Sequence, residues 1–226
     1  MANRPVFFVS KERPYYHEEI VSFQFNPGFS VVQKQKNIRN IHEAFIAKHR
    51  NARLLEISSK SELPLGVQLS AFNLVVSVDG KKTTVESAFQ SSKVFENGGP
   101  FTDLLSQPSF VAKKDPRLQE SGSLKRFNFN GLSFPLEPKT FFYDWLYINA
   151  VAESAELAEH LCQFNAFTDI EFNPEKSINC QARSAAIFVS LSKMGLLTEA
   201  LRSPDDFKVI VYGANQASEN QQLSLF

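Results

Sequence analysis

The stretch Asp79-Gly80-Lys81-Lys82-Thr83-Thr84-Val85-Glu86-Ser87-Ala88-Phe89-Gln90-Ser91-Ser92-Lys93-Val94-Phe95 decides how the chain folds. It follows the apolar run Leu74-Val75-Val76-Ser77-Val78. Asp-Gly directly after such a run signals a tight type I′ hairpin, whose two central residues both need positive φ. Beyond the turn, the pattern predicts a helix that opens near Thr83 or Thr84 and runs to Phe95, stopped by Asn97-Gly98-Gly99-Pro100. At 100° per residue Glu86, Gln90 and Lys93 (i, i+4, i+7) fall in one polar stripe, while Val85, Ala88 and Phe89 face elsewhere. That stripe has two readings. Thr83-x-x-Glu86 is a capping box, and a Glu/Lys stripe is often a solvated face. Alternatively, a carboxylate, an amide and an amine are presented together on one rigid surface.

Upstream, Leu69 to Val78 reads as the first strand of the hairpin, and Leu54 to Ser61 as a strand entering a hydroxyl-rich turn. Val31 to about Arg50 has helical periodicity with a basic surface. Pro5–Val9 and Ile20–Phe25 read as strands, with Lys11–His17 a loop between them. His42 and His49 lack a third ligand at metal spacing and read as surface residues. Downstream, residues 107–138 are the least regular, with a hairpin signal at Asn130-Gly131. There Phe127 and Phe129 alternate with Lys125, Arg126 and asparagines, which suits stacking on unpaired bases and equally suits plain strand alternation. Phe141 to Ala150 opens an apolar helix carrying Trp145, which on composition is a core residue. Ala155–Phe164 continues as helix. Thr168 and Asp169 read as turn and capping residues, Ser184–Leu201 as an amphipathic helix, and Phe207–Tyr212 as a closing strand.

Composition bounds the class. The 226 residues suffice for one domain with a sizeable core, and 43% hydrophobic with 21% charged residues is ordinary globular usage. No apolar run reaches the ~18 residues of a membrane span, and no signal peptide opens the chain, so a cytoplasmic protein is expected. Cys162 and Cys180 make neither a disulfide framework nor a zinc site, and Cys180 has no histidine in a context that would make it a nucleophile. Twenty-two phenylalanines point to an aromatic core. A net charge of zero argues against a protein that coats nucleic acid generally. The charges are segregated, however: seven Lys/Arg lie between Lys34 and Lys60, and six carboxylates without a Lys or Arg between Ala152 and Glu175. The basic segment is either a solvated face or a flank for phosphates.

The segment from Ser70-Ala71-Phe72-Asn73 through Thr84-Val85-Glu86, Phe89-Gln90 and Lys93 resembles the NADAR (YbiA-like) family of N-glycosidases. The resemblance implies a single α+β domain over residues 5–212, helix-rich with short strands, and cleavage of a bond between a ribose C1″ and a nitrogen. By position in the family's motifs, it implies Glu86, Lys93 and Asp169 as catalytic residues, with Lys93 either contacting ribose or forming a Schiff base. Phe72, Asn73, Gln90, Trp145 and Asn179 would bind substrate. No metal or cofactor is implied. Leu55-Glu56-Ile57-Ser58-Ser59-Lys60-Ser61 and Phe167-Thr168-Asp169-Ile170-Glu171-Phe172-Asn173-Pro174 resemble the subgroup encoded beside DarT-type toxins, in which Lys60 would face a diphosphate. Phe172-Asn173 and Gln181-Ala182 stand where other NADAR proteins have Trp-Gly and Leu-Gly. The expected substrate is therefore single-stranded DNA bearing ADP-ribose on guanine, with a DarT-like toxin as the functional counterpart. A housekeeping glycosidase of ribosylated metabolites and a non-catalytic ADP-ribosyl or toxin binder are the alternatives.

Residues 213–226 read as a polar tether ending in Gln222-Leu223-Ser224-Leu225-Phe226. This peptide resembles those that bacterial proteins insert into the replicative sliding clamp, with Leu223, Leu225 and Phe226 as apolar anchors and Gln222 bonding the pocket rim.

Overall fold

The computed structural model describes residues 1–213; the expected clamp peptide lies outside the described residues. The chain opens with β1 (Ala2–Val9) and β2 (Tyr16–Phe23), an antiparallel pair from Ala2 opposite Phe23 to Val9 opposite Tyr16. Lys11–His17 is thus loop only in its first part. The pleat sends successive side chains of β1 to opposite faces. Val6 joins a small core with Val21, Phe23, Ile38, Ile41 and Phe45 beneath α1 (Val31–Lys48), while Phe7 joins the main core on the other face.

After β3 (Leu54–Glu56) the chain forms a short helix, α2 (Pro64–Gln68), rather than entering a long strand. A turn follows in which the Leu74 amide donates to the Ser70 carbonyl (2.7 Å), so β4 comprises only Val75–Val78. β5 (Lys81–Thr84) returns antiparallel through Asp79 (φ 49°) and Gly80 (φ 75°), the predicted tight turn. α3 (Val85–Ser91) starts where the sequence predicts but stops early, and Lys93–Phe95 form β6. Two serine hydroxyls, those of Ser91 (2.9 Å) and Ser92 (2.6 Å), donate to the Ala88 carbonyl and compete with continued helix.

Residues 107–138, expected to be irregular, contain α4 (Ser109–Lys113), α5 (Arg117–Glu120), β7 (Leu124–Phe129) and β8 (Leu132–Phe134). β7 and β8 turn at Asn130 (φ 51°) and Gly131 (φ 75°), and β6, β7 and β8 make an antiparallel sheet. Next come α6 (Phe141–Ala152), α7 (Ala155–Leu161) and β9 (Ala166–Thr168). β9 completes a four-stranded sheet of order β2-β1-β9-β3, parallel to β3 and antiparallel to β1.

The last helical segment is split. α8 (Gln181–Lys193) ends before Gly195 (φ 70°), and α9 (Leu197–Ala200) is separate. The expected closing strand is a helix, α10 (Pro204–Tyr212). Its start signals outweigh its β-branched residues: Ser203 caps, Pro204 occupies the first turn, and Asp205 and Asp206 favour the positive helix end.

α6 is buried almost all round, as expected of an apolar helix at the centre of a fold. Phe142 is the aromatic hub, with ring centroids 4.8 Å from Phe127, 4.7 Å from Phe134, 5.9 Å from Phe129 and 6.0 Å from Phe89. A buried ionic node locks this helix to its neighbours. The Asp144 carboxylate accepts from Arg183 Nη2 (3.2 Å), Ser184 Oγ (2.5 Å), Tyr212 OH (2.7 Å) and Thr140 Oγ1 (2.8 Å), joining α6, α8 and α10.

Candidate active site

The local chemistry at the start of α3 frees Glu86 from capping. Thr84, not Thr83, is the cap, and its hydroxyl accepts from the Ser87 amide (3.2 Å). Glu86, in the first turn and 6% exposed, instead turns its carboxylate toward a cavity of about 1180 Å³. Gln90, one turn on, donates from Nε2 to Glu86 Oε1 (2.9 Å). Although Lys93 has left the helix, β6 carries it to the same cavity, with its ammonium 5.0 Å from the Phe89 ring centroid. Burial, the largest influence, holds the Lys93 amine below the usual lysine range; Glu86 opposes this and Lys113 adds to it. An amine so placed is more readily neutral, hence nucleophilic, than an exposed one.

Across the cavity, Asp169 follows β9 and leads a loop that lines one wall through Phe172, Asn173 and Asn179. Burial first, and then the nearby Glu56 carboxylate, push Asp169 well above the ordinary carboxylate range. Two acids of one cavity thus sit in different surroundings: buried Glu86 beside amide and ammonium donors, half-buried Asp169 beside a second carboxylate. Such asymmetry separates acid from base in glycoside-cleaving sites.

Seven of the sequence-derived residues line this cavity: Phe72, Glu86, Gln90, Lys93, Phe127, Asp169 and Asn179. Four do not. Asn73 is exposed and donates to the Val67 carbonyl (2.8 Å), finishing the turn before β4. Lys60 is not among the residues of the cavity wall, although Ser58 and Ser59 just before it are. Trp145 lies on another face of α6, its ring centroid 5.1 Å from that of Phe134, and Phe141, Phe142 and Tyr143 take the wall instead. Phe129 is 7% exposed against Phe142 and Trp145, so strand alternation rather than base stacking accounts for it.

Residues without a sequence signal also contribute. Lys113 reaches the cavity from α4, its ammonium 3.7 Å from Glu86 Oε1 and 4.9 Å from the Phe72 ring centroid. It is placed there because Ser109 docks α4 through hydrogen bonds to the Phe72 carbonyl (2.9 Å) and the Thr84 hydroxyl (2.7 Å). His42, expected at the surface, is largely enclosed, with Nε2 2.9 Å from Thr168 Oγ1. Burial lowers its pKa to about 4. Cys180 is buried, and burial raises its thiol pKa, which suits packing rather than attack.

Two lining amides have unmatched acceptors. Gln90 Oε1 and Asn179 Oδ1 are buried without a hydrogen-bond partner among the described residues. A buried acceptor left unpaired costs about 1–3 kcal/mol, which a hydroxyl or N–H of a bound ligand would relieve. With aromatic walls, convergent polar groups and its volume, the cavity suits a nucleotide-sized ligand.

Comparison with known families places the chain by similarity. The family model described as "DarT1-associated NADAR antitoxin" matches residues 2–221. Comparison with curated proteins gives no match.

Proposed function

The chain belongs to the DarT1-associated NADAR antitoxins, and from that premise we propose that its cavity hydrolyses the N-glycosidic bond between ADP-ribose and guanine in single-stranded DNA. Its counterpart is a DarT toxin. The observation that carries the chemistry is that Glu86 and Lys93 face one cavity large enough for the nucleotide, with Asp169 on another part of its wall.

In this reading the C1″–N bond breaks with its electron pair leaving on guanine. The carboxylic acid of Asp169 donates a proton to that base. Glu86 faces the electron-poor sugar and stabilises its positive charge. Water then adds to C1″ and gives its proton to the Asp169 carboxylate, which restores the acid. Lys93 holds the ribose or attacks the ring-opened aldehyde, expelling water to form a Schiff base that later hydrolyses. Gln90 and Asn179 accept from ribose hydroxyls, Phe72 and Phe127 border the flat parts of the ligand, and Lys113 offers a charge to the diphosphate.

The test is release of free ADP-ribose from a guanine-modified oligonucleotide, with wild type beside Glu86→Gln. The variant should be slower by on the order of a hundredfold or more. Equal protection of toxin-expressing cells by both proteins would instead favour a binder, and preference for ribosylated metabolites over modified DNA a metabolic glycosidase.

A further inference from the structure

Behind Asp169, outside the cavity, lies a carboxylate that the proposed reaction does not use. Glu56 ends β3 directly opposite Thr168 of β9 and is 3% exposed. Its Oε2 accepts from the Thr168 hydroxyl (2.6 Å) and its Oε1 from the Ile170 amide (2.9 Å). One side chain thus grips the residues on both sides of Asp169. The Thr168 hydroxyl has one proton, which goes to Glu56, so its oxygen accepts from His42 Nε2–H (2.9 Å). The chain His42 Nε2–H, Thr168 Oγ1–H, Glu56 Oε2 then has a single consistent direction, with the carboxylate as terminal acceptor.

We infer that Glu56 is a positioning residue that fixes Asp169 in the cavity wall and keeps it in its acid form, ready to donate a proton to the leaving base. This rests on the glycosidase reading above and deepens it. Of two neighbouring carboxylates, Glu56 buried and Asp169 half-buried in the cavity wall, each disfavours the other's charge, and the one with more donors keeps it. Burial raises the Glu56 carboxyl too, but Glu56 has three donors, the Thr168 hydroxyl, the Ile170 amide and the Ser58 side chain, whereas Asp169 has two, the Glu171 amide (3.0 Å) and the Gln181 side chain.

The other groups around the pair are consistent with this division. Glu171, on the same loop, adds negative charge but is paired with Lys34 of α1 (3.2 Å). His42 of α1 is neutral near pH 7, with its pKa lowered by burial to about 4. Tyr143 and Tyr147 of α6 and Cys180 before α8 lie close enough to Asp169 to interact with it, and burial holds all three in their neutral, protonated forms. No Lys or Arg is among the groups that shift Asp169; the Glu171 amide and the Gln181 side chain favour its charged form, and burial and Glu56 outweigh them.

The experiment compares wild type, Glu56→Gln and Asp169→Asn by the pH dependence of ADP-ribose release and by infrared titration of the carboxyl C=O band. In wild type, a protonated-carboxyl band absent from Asp169→Asn should persist at pH 7. In Glu56→Gln the basic limb of kcat/KM should move to lower pH by about one unit or more, because Asp169 ionises more easily. KM should change little, since Glu56 does not touch substrate. An unmoved limb in a folded Glu56→Gln protein overturns the inference, as does a wild-type Asp169 already ionised at pH 7. The second result is readable even if Glu56→Gln does not fold. A wild-type protein that shows the band at pH 7 and loses it in Glu56→Gln, but releases no ADP-ribose, refutes the glycosidase reading and leaves the link between Glu56 and the Asp169 proton supported.

Discussion

Lys93 illustrates how position changes the acidity of an ordinary side chain. Its neighbours remove water without supplying a tight ion pair, and its amine is held below the usual range by that burial. If it attacks the opened sugar, borohydride added during turnover should trap a covalent adduct with wild type and none with Lys93→Arg; turnover without trapping in the wild type would assign it to ribose binding alone. His42 behaves differently, as a reporter of stability. Its folded pKa of about 4 lies below the unfolded value of 6.5, so between those values the unfolded chain holds more protons. Its contribution is therefore complete above pH 6.5 and lost as pH falls toward 4, amounting to about 3 kcal/mol. Urea unfolding of wild type and His42→Gln at pH 7 and pH 4.5 should show a smaller loss in the variant.

The elements that build the site are short, and what surrounds them keeps them in place. α3 has seven residues, too few for independent stability, and it is held by its Thr84 cap, by docked α4 and by the aromatic cluster around Phe142. α6 depends on the Asp144 node in the same way. Asp144→Ala leaves the Arg183 guanidinium, 9% exposed, without its carboxylate partner. That should destabilise the protein by about 3–5 kcal/mol, read as a lower urea midpoint at unchanged slope. Thr140 and Phe141, at the head of α6, line the cavity, so the same change should also weaken substrate binding.

Across the whole molecule, the cavity is assembled from segments distant in sequence: α3 and β6, α4, the start of α6 and the loop after β9. Its contents were legible where a motif is local. Glu86 and Gln90 share a helix face, and the Asp-Gly turn aims that helix. It was illegible where a neighbour decides: Trp145 reads like Phe142 in sequence, yet the packing of β8 turns it from the cavity. The C-terminal peptide makes a separate prediction. A sliding-clamp pull-down should lose this protein when Gln222–Phe226 are removed, and unchanged capture would remove the clamp as a partner.

What the sequence determined alone was whatever depends on near neighbours along the chain. This includes the two tight turns at Asp79-Gly80 and Asn130-Gly131, the start of α3, the apolar character of α6 and the family signature between Ser70 and Phe95. Tertiary structure decided where competing local preferences had to be settled by contact: Lys93 on a strand rather than a helix, α10 rather than a closing strand, and His42 inside rather than outside. It also decided the electrostatics, because Glu56 and Asp169 are more than a hundred residues apart and influence each other only once β3 and β9 pair. Charge interactions depend on distance and dielectric, and both are properties of the folded chain.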